Sequence, residues 1–241
     1  MKIVAVSLVC LLLSITVVSQ SLQLRYDLRH WTDPSLNPEN FPALSFEYFT
    51  NIDTLGSGSF LMKFDAQLDG RKNNIGQTFT QISQTIKFWK PKIYLSFTYS
   101  GGLGVTPSSY GYYISNSFGI GGAYTFQWSG AWISTGLFFR FNAFEKPSYD
   151  SQLNLYFGKG YFNYRLFTAG SFVFWTENRN RGDENTSNLK GKKFAFYGDP
   201  QLWIKIKSGL SAGSRVSVYY HVLSNDNKIQ FYPSLGLKYQ F

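Results

Sequence analysis

The sequence predicts an all-β protein, an antiparallel transmembrane β-barrel of about 12 strands. Three observations carry this expectation: hydrophobicity that alternates at period two along successive segments, connections that alternate between short and long, and an apolar leader ahead of the first strand. The last segment displays the alternation most plainly. Phe231, Pro233, Leu235, Leu237, Tyr239 and Phe241 alternate with Tyr232, Ser234, Gly236, Lys238 and Gln240. On a strand the two sets point to opposite sides, so one side is apolar and the other mostly polar.

The leader sets the compartment. Lys2 gives a short positive start, Ile3 to Val18 is almost wholly apolar, and Val17-Val18-Ser19 places small or tolerated residues before Gln20. This pattern predicts a secretory signal peptide over residues 1–19 and a barrel over residues 20–241. A spanning helix wants about 20 apolar residues, and this run is shorter and carries Ser14 and Thr16. Cys10 lies within the leader, so the mature chain has no cysteine for a disulfide, a thiolate metal site or a thiol nucleophile. Its stability must come from its own hydrogen-bond ladder and burial, which a closed barrel supplies.

Composition agrees. Aromatic residues make up 19% of the chain and charged residues only 15%, against roughly 25% charge in a soluble domain. Mean hydropathy is nevertheless −0.18, because Ser, Thr, Asn, Gln and Gly fill the alternate positions. Lys and Arg number 23 against 14 Asp and Glu, and loss of Lys2 takes the formal charge from +9 to +8. The basic residues are scattered singly with no dense stripe, so no nucleic acid is expected as a partner. Outer-membrane lipids, lipopolysaccharide headgroups and small polar solutes in a charged lumen are expected instead. The predicted location is the cell outer membrane of a Gram-negative bacterium.

In chain order, strands are predicted near 22–31, 42–50, 58–68, 77–88, 92–100, 112–127, 131–141, 151–158, 163–176, 194–206, 213–223 and 231–241. The alternation is clearest in Phe60, Met62, Phe64, Ala66 and Leu68 against Leu61, Lys63, Asp65 and Gln67. It is equally clear in Ile93, Leu95, Phe97 and Tyr99 against Tyr94, Ser96, Thr98 and Ser100. It is weakest over 77–88 and 163–176, and Pro200 interrupts 194–206 as a bulge or loop boundary. Gly119, Gly121 and Gly122 within a strand mark a kink or point of curvature.

The stretches 89–91, 128–130, 159–162 and 207–212 are short connections, and 32–41, 69–76, 101–111, 142–150, 177–193 and 224–230 are longer. Outer-membrane barrels have short periplasmic turns and long external loops, so both chain ends are expected at the periplasmic side. The longest loop, Glu177 to Lys193, is the expected external lid or surface segment. Trp31, Trp89, Trp128 and Trp175 fall at or near strand ends, where indoles join interfacial girdles. The closing aromatic residue Phe241 is expected to be read by the barrel-assembly machinery.

The segments Gln20-Ser21-Leu22-Gln23-Leu24-Arg25-Tyr26-Asp27, Leu44-Ser45-Phe46-Glu47-Tyr48-Phe49 and Tyr99-Ser100-Gly101-Gly102-Leu103 resemble a family of bacterial outer-membrane proteins similar to the nucleoside-specific channel-forming (Tsx-like) proteins. The resemblance covers essentially residues 20–241 through diffuse motifs. It implies a narrow channel for nucleosides or similar small solutes.

Eight-stranded barrels are filled by side chains, and barrels of sixteen or more strands leave a broad channel, so about twelve predicts a narrow or partly plugged lumen. With the apolar set facing lipid, the candidate solute-binding residues of the lumen are Arg25, Asp27, Glu47, Lys63, Asp65, Lys87, Tyr94, Trp132, Arg140 and Tyr156. Arg29, Lys205 and Lys238 share the polar set. Facing charges set a transverse field, and Tyr94, Trp132 and Tyr156 are suited to stack a base or sugar. The competing reading is a salt-bridged plug that only stabilises the barrel.

Barrel hydrolases place a His and a Ser two residues apart on one strand face. Here His221 and Ser224 are three apart and fall on opposite faces. His30 and Thr32 have the right separation but lie at a strand end with no evident acidic partner. Asp183-Glu184-Asn185 is flanked by Arg179, Arg181 and Lys190, which favours a solvated loop over a cation site. Gly101-Gly102-Leu103-Gly104 precedes no helix and is weak as a phosphate loop. No cofactor, metal or catalytic group is expected. The expected function is passive diffusion of small solutes; an outer-membrane lipid hydrolase and a structural or surface-binding barrel are the alternatives.

Overall fold

A computed structural model describes residues 18–51, 58–70, 74–87, 89, 92–105, 110–143, 146–182, 184, 186–223 and 226–241. The signal-peptide reading therefore falls almost wholly outside the described residues, as do Asp183, Asn185 and Ser224. Thirteen strand segments form one antiparallel sheet. They are β1 (Val18–Asp27), β2 (Phe41–Asn51), β3 (Ser59–Gln67), β4 (Gln77–Ile86), β5 (Ile93–Val105), β6 (Gly111–Trp128) and β7 (Ala131–Asn142). They continue as β8 (Ser148–Tyr161), β9 (Leu166–Asn178), β10 (Lys192–Gly198), β11 (Gln201–Lys207), β12 (Leu210–Tyr220) and β13 (Gln230–Gln240).

β10 and β11 each pair with both β9 and β12, so they are two halves of one stave and the barrel has 12 strands. Closure runs from Ser21↔Gln240 to Asp27↔Ser234 between β1 and β13. Leu22, Leu24, Leu137, Phe139, Leu202, Ile204, Leu235 and Leu237 are exposed on the outer face. Ser21, Gln23, Arg25 and Asp27 of β1, with Gln152, Asn154, Arg215 and Ser234 elsewhere, are buried on the inner face. A closed wall with an apolar exterior and a polar interior is a barrel of the outer membrane.

Short and long connections alternate. Ser129 and Gly130 form a two-residue hairpin turn with φ of 49° and 75°, the doubly left-handed turn whose twist suits antiparallel strands. Phe162, Asn163 and Tyr164 are successively left-handed at 52°, 54° and 61°, a conformation costing about 1–2 kcal/mol per non-glycine residue. That turn is why the ninth strand starts at Leu166 and not at residue 163.

Other boundaries also differ from the sequence reading. The first strand stops at Asp27, and Arg29–Thr32 form a single helical turn, α1. Asp27 causes this: its carboxylate accepts from the Arg29 backbone N–H at 3.0 Å and from the guanidinium at 3.0 and 2.9 Å, folding the chain inward. β5 runs on to Val105 through the glycines, with a register shift between Gly102 and Leu103. β12 spans Leu210–Tyr220, so His221 lies beyond its end. Trp31 and Trp128 are exposed. Trp175 instead faces the lumen, because it shares inward parity with Val173 and Glu177; its indole donates to Glu177 at 3.0 Å.

The inner faces of β6 and β7 carry Gly119, Gly121 and Gly136, and the Phe138 ring lies across this bare wall. A Cβ on Gly136 would meet that ring at 2.7 Å. Gly170 is required for another reason: a Cβ there would lie 2.9 Å from Pro200 Cα. Gly170→Val should cost about 1–3 kcal/mol by overpacking, read as a lower urea midpoint in lipid vesicles. Leu137→Arg, which puts a cation on the lipid face, should cost about 2–4 kcal/mol in the same measurement, with no comparable loss for Leu137→Met.

Candidate functional site: a vestibule and septum in the lumen

Antiparallel register places residues of one parity on the inner wall, and that wall divides by height. Toward the short-turn end, which also carries Ser19 and Gln240, the lumen holds a cavity of about 810 Å3. Its walls include Tyr94, Trp132, Tyr156, Phe167 and Trp203, with Glu47, Lys63, Lys205 and Lys238 as its charged groups. Aromatic walls with a few charges suit a small solute with an apolar or ring-shaped body.

At mid-depth, side chains from distant strands meet across the lumen. The Arg25 guanidinium lies 2.9 Å from Asp65 Oδ1, and Arg215 lies 3.1 Å from the same oxygen. Arg215 also reaches Asp199 Oδ2 at 3.3 Å and donates to Tyr197 Oη at 2.8 Å. Lys63 approaches Asp199 at 3.8 Å from β3, nearly opposite in the barrel, and its ammonium sits 5.6 Å from the Tyr156 ring centroid. Gln81 of β4 donates to Tyr156 Oη of β8 at 2.9 Å, completing a second chord. Ser45 hydrogen-bonds Asp65, and Ser234 accepts from Arg25 at 3.4 Å. These contacts make a septum of hydrogen-bonded charges and amides.

The long-loop half is filled by further pairs. Arg29, held by Asp27, stacks over Phe41 and Tyr232 at 4.6 and 5.1 Å from their centroids. Arg140 lies 3.8 Å from Asp150, donates to Ser117 at 2.7 Å and faces the Trp175 ring at 5.5 Å. Glu177 binds Arg181 at 3.0 Å and Lys193 at 3.1 Å, anchoring both ends of the β9–β10 connection from inside the lumen.

The structure thus distributes the sequence-predicted residues over three levels. Glu47, Lys63, Tyr94, Trp132 and Tyr156 line the vestibule, and Arg25 and Asp65 join Lys63 in the septum. Asp27 and Arg140 belong to the long-loop half. Lys87 lies just past β4 with its ammonium 5.5 Å from the Tyr94 ring centroid. The sequence reading missed Asp199, Arg215, Tyr197, Phe167 and Trp203. Inward parity with Ser217 and Tyr219 was the available signal for Arg215; Asp199 had none beyond its place before the interrupting proline.

His221 Nδ1 lies 2.8 Å from the Phe194 carbonyl and Nε2 2.8 Å from Asn227 Oδ1, so neither contact is to a hydroxyl or carboxylate. His30 Nδ1 lies 2.6 Å from the Asn37 carbonyl. No cluster of metal-ligating side chains occurs among the described residues.

Asp65 is shared by two buried guanidinium groups. Asp65→Asn leaves an uncompensated cation and should cost about 3–5 kcal/mol, read by equilibrium urea unfolding in vesicles. Glu39→Gln on an exposed loop should stay within about 0.5 kcal/mol of the parent protein.

A family model described as "Domain of unknown function (DUF5020)" matches residues 19–241. No curated protein matches the chain. Among solved structures, the NanC porin is similar with a TM-score of 0.52 at 9% identity, over 92% of this chain and 100% of that one. The KdgM porin gives 0.45 at 8% identity, over 92% and 99% of the two chains. LpxR from Salmonella typhimurium gives 0.44 at 8% identity, over 92% and 100%. The likeness to NanC is one of fold, a porin-type barrel. The family match spans the whole barrel wall, from the first described strand to the last residue, and the chain belongs to the DUF5020 family.

Proposed function

We propose that the protein is a narrow outer-membrane channel for passive diffusion of small polar solutes. The observation that carries this reading is the vestibule of about 810 Å3, which ends on a septum of individual side chains. A septum of hydrogen-bonded polar groups can be rehydrated and parted, whereas an apolar core would fill the barrel permanently. The short-turn end is the periplasmic mouth, and residues 1–19 act as a cleaved leader for residues 20–241. Outer-membrane lipids, lipopolysaccharide and the barrel-assembly machinery are the partners this reading requires.

Nucleosides are the finer reading. The family resemblance implies them, and the wall that joins Tyr94, Trp132 and Tyr156 to Ser and Asn side chains supports them, since rings stack on aromatics while sugar hydroxyls take hydrogen bonds.

Planar-bilayer recording tests both levels. Small, discrete conductance steps are expected, with block by added uridine or adenosine exceeding block by glucose or glycine. Gln81→Ala removes one chord of the septum without stranding a charge and should raise unit conductance. Trp132→Ala and Tyr94→Ala should weaken nucleoside block while leaving the steps. A silent bilayer with correctly folded protein removes the channel reading, and equal block by every solute removes the nucleosides. Lipid turnover by the protein reconstituted in vesicles would point to a hydrolase.

A further inference from the structure

Lys63 is paired with Asp199 and stands opposite Glu47 in register, so these three charges answer one another. Lys205 and Lys238 have no carboxylate within ion-pair distance among the described residues, and Glu47 acts on Lys238 only from farther off, against the repulsion of Lys63. Neither makes an ion pair or a side-chain hydrogen bond among the described residues. Lys238 lies half-buried with its ammonium 6.0 Å from the Phe167 centroid and 5.9 Å from the Trp203 centroid, so ring faces and the Glu47 charge, outside ion-pair distance, attract it. Such contacts recover only part of what a desolvated ammonium loses.

Register brings the two lysines together. Lys205 of β11 pairs with Ser211 of β12, and Ser211 pairs with Lys238 of β13, so the three side chains occupy one rung of the inner wall. Strands are spaced about 4.8 Å apart, which sets the two lysine Cα atoms about 10 Å apart with the serine hydroxyl between them. Two flexible four-carbon stems reach a common point across that gap. All three residues line the vestibule beside Phe167 and Trp203.

We infer that the Lys205–Ser211–Lys238 rung is an anion-binding subsite, and that the solute it takes carries a carboxylate or phosphate on a ring-shaped or apolar body. The ammonium groups neutralise the anion, the Ser211 hydroxyl donates to it, and Phe167 and Trp203 receive the body. This deepens the channel reading and rests on it for transport, though binding at the rung stands apart from conduction. It also departs from the neutral nucleosides that the resemblance implies.

Two matched pairs of probes test the inference: uridine 5′-monophosphate against uridine, and benzoate against benzyl alcohol. Each is titrated calorimetrically into the folded full-length protein in a neutral detergent. At least one anion should bind, at least about tenfold tighter than its neutral counterpart, and the pair that shows the difference identifies phosphate or carboxylate. Lys238→Gln should weaken that anion about tenfold, and the Lys205→Gln/Lys238→Gln double variant should abolish the preference. Both variants should keep the heat-dependent gel mobility of the folded barrel. Equal binding within each pair, no binding of any probe, or an undiminished preference in the folded double variant would overturn the subsite. Probe binding without bilayer conductance would instead remove the channel reading and leave the subsite standing.

Discussion

A bilayer offers no water to an unpaired backbone amide or carbonyl, and each such group costs several kcal/mol, so the whole wall depends on an unbroken ladder. The pairing of β1 with β13 removes the open edge. The ladder breaks between β10 and β11 at Asp199-Pro200, where proline supplies no donor. Asp199 mends it. Its backbone N–H donates to the Ser171 carbonyl at 3.0 Å, while its Oδ1 accepts from the Ser171 amide and hydroxyl, both at 2.6 Å. Pro200 still accepts from Val216 N–H at 3.0 Å, and the bare Cα of Gly170 admits the displaced chain.

Mending the wall with a carboxylate puts a buried charge in the lumen, and the septum follows from it. Asp199 Oδ2 faces Arg215 and Lys63, and Arg215 in turn shares Asp65 with Arg25. Buried ion pairs are no more stable than well-packed hydrophobic groups of the same volume, so stability alone gives no reason for this composition. Reversibility does. Charged and amide groups that meet across a lumen exchange partners with water, and Arg25, Lys63 and Arg215 are each held from more than one direction. Loss of one contact therefore leaves others in place.

The sequence made the architecture legible because period two is a property of each strand by itself. Leu235 and Leu237 point outward and Ser234 and Lys238 inward whatever the rest of the chain does. The same parity placed Arg25, Glu47, Lys63, Tyr94 and Tyr156 on the inner wall. Partnership across the lumen was not legible, since Lys63 meets Asp199 only through barrel closure, tilt and strand count, none of which is local. Trp175 was misread because proximity to a strand end was weighed above its parity. The first strand was read past Asp27 because alternation continues in the letters, while the Asp27–Arg29 pair ends it in space.

The basic excess of the chain acquires a location through the same geometry. Above the vestibule, four inward carboxylates are paired with cations: Asp27 has Arg29, Asp65 has Arg25 and Arg215, Asp150 has Arg140 and Lys192, and Glu177 has Arg181 and Lys193. Each of these cations has a carboxylate oxygen within 3.8 Å, so the charges of the long-loop half are held in direct pairs. The vestibule differs because Lys205 and Lys238 make no ion pair among the described residues, Glu47 reaching Lys238 only from outside ion-pair distance, and low-dielectric walls focus the remaining field. Unpaired cations in the vestibule and paired ones beyond the septum make the two halves of the lumen electrostatically different. A solute carrying negative charge meets Lys205 and Lys238, cations not held in ion pairs, in the short-turn half before the septum, and passage beyond depends on whether the septum's own pairs can be exchanged for it.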